Sequence, residues 1–119
     1  MDTLNSVFDM AYIEKMSAGD EATERQLLEI LIDQLKNDLP RATPLLANKE
    51  WEELARFCHH FKSTIAFTGN HDLDKANLQL WELAKKQGSS SIEAERILKS
   101  MQQLAKRIEK KATTVLKKM

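Results

Sequence analysis

The chain has 119 residues, enough for one domain and too few for two of ordinary size. Hydrophobic residues at 42% and charged residues at 30% exclude a disordered chain, and a net charge of zero excludes a global basic field for nucleic acid. With three Gly and two Pro against abundant Leu, Ala, Glu, Lys and Gln, the composition points to an all-α protein.

In chain order, the first predicted helix is short, roughly 7–18, with Phe8, Tyr12, Ile13 and Met16 apolar. Gly19 ends it, and Asp20 can cap the next helix through its free amides. That helix carries Leu27, Leu28, Leu31, Leu35 and Leu39 at spacings of three and four, one broad apolar face. Pro40 and Pro44 should kink or end it, although Leu45 and Leu46 suggest that the stripe resumes. A third helix is expected over 49–68, capped by Asn48 and closed by Gly69. The fourth spans about 72–86 with Leu73, Ala76, Leu80, Leu83 and Ala84 inward, and Gly88 breaks it. Ser90 and Glu93 have the spacing of a capping box and open a long fifth helix with Ile97, Met101, Leu104, Ile108 and Val115 on one face. Short links force antiparallel neighbours. The expected architecture is an antiparallel up-down four-helix bundle with a short extra N-terminal helix lying across one end. It forms one domain over 1–119, with the bundle core at about 20–118.

Charge is unevenly placed. Residues 1–58 hold twelve acids and six bases, a net of −6, whereas residues 95–119 reach +6. Acidic and basic helices packed side by side would account for this, and a basic docking surface is the sharper alternative. The single cysteine, Cys58, rules out an internal disulfide and fits a reducing compartment. With no early apolar run after Met1 and no stretch long enough to span a bilayer, a cytoplasmic protein without membrane attachment is expected.

The informative stretch runs from Cys58 to Gly69. At about 100° per residue, Trp51, Leu54, Phe61 and Ile65 fall within about 60° of Cys58 and form the core face. His59 lies about 100° from that direction, at the core's edge, and His60 about 200° away, in solvent. A histidine nucleophile must be reachable by a bulky partner while its neighbours hold the ring, which a boundary position allows. Lys62, one turn on, can bring an ammonium near a phosphate on that ring. Ser63 and Ala66 are small, on the same flank, and leave room for another protein. Phe67 lies about 180° from the core direction. It is either a docking contact beside His60 and Ser63 or packing beneath a loop. Cys58, His59 and His60 point in different directions and cannot converge on one metal ion, so no metal site is expected. His71 reads as a surface residue, and Trp51 and Trp81 as core anchors. No Gly-rich phosphate loop is present, so no intrinsic kinase activity is expected.

His59, an apolar Phe61 at +2, Lys62 at +3, small residues over 63–66 with Ile65 the large exception, and Gly69 at +10 together resemble the signature of the histidine phosphotransfer family of two-component phosphorelays. The proline of the second helix, the short link and the Trp51-Glu52-Glu53-Leu54 opening of the histidine helix are similar to that family too, so the resemblance covers roughly 20–104. It implies a four-helix bundle whose exposed histidine, His59 rather than His60, is phosphorylated on a ring nitrogen. That histidine would relay the group between aspartates of receiver domains, or from a hybrid sensor histidine kinase to a response regulator. A neutral imidazole keeps a lone pair that can attack an aspartyl phosphate. The resemblance implies that magnesium sits on the receiver and that this chain needs no cofactor. Lys62 supports the phosphate, and His60, Ser63, Ala66 and Phe67 are candidates for the receiver-docking surface.

Two positions depart from the family. Ser63 stands where many members have Gly. The family's ring-holding Gln or Glu on the following helix falls here on Trp81, with Glu82 beside it, so Glu82 could hold the ring only if the register shifts. The contrasting expectation is a helical interaction module, a degenerate phosphotransfer domain that binds a protein without phosphoryl chemistry. Nucleic acid is not an expected partner, and monomer is the default.

Overall fold

The computed structural model describes residues 7–87 and 91–119, and among them every regular element is helical. The elements are α1 (Ala11–Ser17), α2 (Glu21–Asn37), a single 3₁₀ turn (Leu39–Arg41), α3 (Ala42–Ala47), α4 (Trp51–Ala66), α5 (His71–Lys85) and α6 (Ser91–Lys117).

Side-chain caps set the starts of α2 and α5. Asp20 opens α2 as expected, its carboxylate accepting from the Thr23 amide at 3.0 Å and from the Thr23 hydroxyl at 2.6 Å. Those two hydrogen bonds hold the carboxyl below its ordinary range. α1 is shorter than the apolar pattern suggests. Asp9 Oδ1 accepts from the Ala11 amide at 2.8 Å, and residues 7–10 run as a strap before the helix begins.

The prolines act as punctuation between α2 and α4. Pro40 sits in the first turn of the 3₁₀ segment, where its missing amide costs nothing, and Pro44 falls in the opening turn of α3. Leu39, Ala42 and Leu46 stay buried through this stretch, so the apolar stripe does resume, on a separate six-residue helix. Asn48 does not cap the next helix. It ends α3, Lys49 takes a left-handed φ of 55°, and α4 begins at Trp51 without a side-chain cap. The cap the sequence reading missed is Asn70, which opens α5 by accepting from the Leu73 amide at 2.8 Å. The Gly88 break and the Ser90–Glu93 capping box rest on residues 88 and 90, which lie outside the described residues.

One core runs through all these helices. Leu28, Leu31, Leu54, Cys58, Leu73, Leu80, Met101 and Ile108 are essentially without solvent exposure. α4 packs chiefly on α5, α5 on α6, α6 on α2, and α2 in turn touches α4, while α3 covers α4 and α6. α1 packs on α2 with Ile13 fully buried.

The acidic first half and basic last helix do lie side by side, but direct ion pairing is sparse. The ion pair between α2 and α6 joins Lys36 of the acidic helix to Glu109 of the basic one, at 3.8 Å. Arg25 donates to the terminal carbonyl of Met119 at 3.2 Å. Among the described residues no helix is long and apolar enough to cross a membrane.

Candidate functional site

α4 turns its residues much as their spacing requires. Leu54, Cys58, Phe61 and Ile65 face the core, and Trp51 is half-buried at its edge. Lys62, Ser63 and Ala66 are exposed. Thr64 is a surprise of the helical wheel: it is buried because α2 covers it, and its hydroxyl donates to Gln34 Oε1 at 2.9 Å.

His59 and His60 are both exposed, so burial does not distinguish them as expected. Their ring contacts do. The imidazole of His59 lies 5.2 Å from the ring of Trp81 on α5, tilted by 55°, and 5.7 Å from that of His60. His60 instead lines a cleft of about 330 Å³ with Arg41, Leu45, Glu53, Arg56 and Phe57. Neither ring nitrogen of the exposed His59 makes a hydrogen bond among the described residues.

Directly beneath, Cys58 is fully buried, and burial pushes its thiol up to about 12. The thiol is therefore inert, and the chemistry available on this turn belongs to the imidazole next to it. The Cys58 carbonyl accepts a second tie from α5: Asn77 Nδ2 donates to it at 2.9 Å. Asn77 is itself buried, and its Oδ1 makes no hydrogen bond.

Lys62 forms no ion pair among the described residues and lines a shallow cavity of about 280 Å³ with Ile65, Ala66, Gly69, Asn70, His71 and Asp74. His71, at the start of α5, is exposed there. Glu82, the residue named for ring-holding if the register shifted, has its own partner: its carboxylate lies 3.9 Å from Lys85 Nζ. The Lys85 ammonium in turn lies 4.9 Å from the Trp81 ring centroid. Trp81 occupies the position next to the histidine, without any shift of register.

Phe67 is half-buried rather than free. Tyr12 of α1 meets its ring edge-on at 5.2 Å and 71°, which is the packing alternative rather than an open docking contact.

The turn between α4 and α5 explains Gly69. Its φ is +65°, a conformation that L side chains rarely adopt, and a Cβ there would come within 2.7 Å of Asp9 Cβ. The strap is stitched to the same turn. The Asp9 amide donates to the Thr68 carbonyl at 3.0 Å, and Asn70 Nδ2 donates to the Val7 carbonyl at 2.9 Å. Thr68, fully buried, donates to the Ile65 carbonyl at 2.6 Å and accepts from the Asn70 amide at 3.0 Å. Sequence reasoning flagged Gly69 but gave no role to Thr68, Asn70 or Asn77; Asn70 and Asn77 each reach a carbonyl on a distant segment, Val7 and Cys58, which local spacing does not reveal.

Among the described residues no three His, Cys, Asp or Glu side chains gather as a metal ion requires. The arrangement offers one accessible imidazole held by a ring, one unpaired ammonium a turn away, and a shelf of small residues. Comparison with protein-family models, with curated protein sequences and with solved structures found no match.

Proposed function

We propose that this chain is a histidine-containing phosphotransfer protein, with His59 as the phosphoryl carrier of a two-component relay. The observation that carries the reading is His59 itself: exposed on α4, in ring contact with Trp81, without a hydrogen bond at either ring nitrogen among the described residues, and three residues from Lys62, which forms no ion pair among them. Around it we read α2, α4, α5 and α6 as an antiparallel up-down four-helix bundle with α1 as the extra helix. The links from α2 to α6 favour that reading, because residues 25 and 36 meet residues 119 and 109, so one helix advances as the other retreats.

In the forward step a ring nitrogen of neutral His59 attacks the phosphorus of an aspartyl phosphate on a receiver domain. The N–P bond forms as the acyl P–O bond breaks, and the aspartate leaves as a carboxylate. Passing the group to a second receiver reverses these bond changes. Lys62 offsets charge on the phosphoryl oxygens, and the exposed Ser63 and Ala66 let the partner approach. Magnesium and the remaining catalytic groups belong to the receiver, whether of a response regulator or of a hybrid sensor kinase, so the chain is a carrier and not a self-sufficient enzyme.

The test is phosphoryl transfer from a panel of phosphorylated receivers to wild type, His59→Gln and His60→Gln. Acid-labile, base-stable label on wild type and His60→Gln, absent from His59→Gln, is the expected result. A folded wild type that binds a receiver yet takes no label would favour the interaction-module reading.

A further inference from the structure

The structure assigns Trp81 the role of positioning residue for His59, holding the imidazole by ring contact where no hydrogen bond holds it. This deepens the phosphoryl-carrier reading and rests on it. Two residues of α5 four apart, Asn77 and Trp81, reach the Cys58–His59 stretch of α4, and positions so spaced share one helix face. Asn77 fixes the backbone beside the histidine, donating to the Cys58 carbonyl at 2.9 Å. Trp81 meets the ring, 5.2 Å centroid to centroid at a 55° tilt, within the range in which aromatic pairs attract.

The indole can serve as a brace because it is itself restrained. It is half-buried and packed against the core. The Lys85 ammonium lies 4.9 Å from its centroid, and Glu82 lies 3.9 Å from that ammonium. Glu82 therefore acts on His59 only through Lys85 and Trp81. A brace of this kind restricts the χ angles of the imidazole without occupying either nitrogen. A carboxamide or carboxylate partner, by contrast, bonds one nitrogen and selects a tautomer. Both nitrogens of His59 stay open to a phosphoryl donor, and Trp81 lowers the cost of orienting one of them.

Two readouts on Trp81→Leu and Trp81→Phe test this. The first is the chemical shift of the His59 ring protons, which a neighbouring indole displaces through its ring current. We expect displaced shifts in wild type, their loss in Trp81→Leu and their partial retention in Trp81→Phe. The second is single-turnover transfer from a phosphorylated receiver over a range of receiver concentrations. In Trp81→Leu the limiting rate should fall by about ten- to a hundredfold with the half-saturating concentration nearly unchanged, and Trp81→Phe should recover most of it. His59 shifts that ignore Trp81→Leu overturn the proposal whatever the kinetics show. So does a Trp81→Leu that changes only the half-saturating concentration, the mark of a docking contact. A wild type that accepts no phosphoryl group sinks the carrier reading and this role with it. A normally active Trp81→Leu sinks the role alone.

Discussion

Two of the long helical interfaces of this molecule, α4 with α5 and α2 with α6, are built on different physics. Between α4 and α5 the specific ties are neutral and buried: Asn77 to the Cys58 carbonyl, and the Thr68–Asn70 turn with its strap at residues 7–9. Between α2 and α6 the polar ties are charged and near the surface: Lys36 with Glu109, and Arg25 with the last carbonyl. Hydrogen bonds inside a low-dielectric interior are costly to break because each leaves an orphaned group, while exposed ion pairs are screened and contribute little. The candidate site sits on the first kind of interface. That is where a side chain can be held to within the fraction of an ångström that group transfer requires. α6 can carry a surplus of positive charge because its attachment to α2 depends on Leu28, Leu31, Leu35, Met101 and Ile108 rather than on pairing.

The largest effect that should separate the two interfaces is Gly69→Ala. The new methyl would meet Asp9 Cβ at 2.7 Å and force an L residue to hold φ +65°, so the strap must lift or the turn must reshape. A left-handed alanine costs about 1–2 kcal/mol, and losing a strap hydrogen bond adds about 1 more. We expect denaturant unfolding to report a loss of about 2 to 3 kcal/mol. A variant as stable as wild type would mean that the strap is not closed over the turn in solution.

How much of this was legible in the sequence follows the same division. Apolar periodicity marked the core faces of α2, α4, α5 and α6, because burial of a helical stripe leaves its own spacing in the chain. The pattern around His59 also stood out, since the proposed nucleophile, the ammonium and the small shelf all lie on one helix within eight residues. What stayed hidden crosses between elements. Asn77 looks like an ordinary polar residue on a helix until the Cys58 carbonyl is seen beside it. Trp81 looked like a core anchor by its own spacing; the family resemblance put it at the ring-holding position, but that an indole there meets the His59 ring was not readable from the chain. The charge asymmetry fits the packing of α2 on α6, yet said nothing of which charges meet. Lys36 and Glu109 pair against the overall sign of their helices.

A second test probes the buried face under the site through pH. The Cys58 thiol is pushed from its ordinary 9.0 to about 12 by burial. Unfolded chains would lose that proton first as pH rises past about 9, and the folded state would keep it until about 12. Fewer protons are then bound in the unfolded state, so stability falls by up to about 1.4 kcal/mol per pH unit across that window. Below pH 9 both states keep the proton and the contribution is flat. Cys58→Ala loses some packing at every pH but should also lose this slope, measured as the change in unfolding free energy between pH 8.5 and 10.5 relative to wild type. An equal slope in the variant would show that the thiol is open to water, and the floor beneath His59 with it.

The smallest effect belongs to the charged interface, and its smallness is the point. Lys36 and Glu109 stand 3.8 Å apart with 59% and 27% of their side chains exposed. A pair so placed gains little over its hydration, and holding two long side chains in one geometry offsets part of that gain. Lys36→Ala should change unfolding free energy by no more than about 0.5 kcal/mol, and raising the salt to about 0.5 M should shrink even that difference. The double change with Glu109→Ala isolates the coupling, which we expect near about 0.3 kcal/mol. A coupling above about 1 kcal/mol would place this pair in a stronger field than its exposure implies. The cations along α6 that form no ion pair among the described residues would then be candidates for the same field, and the contrast drawn between the two interfaces would fail at the end where it is easiest to measure.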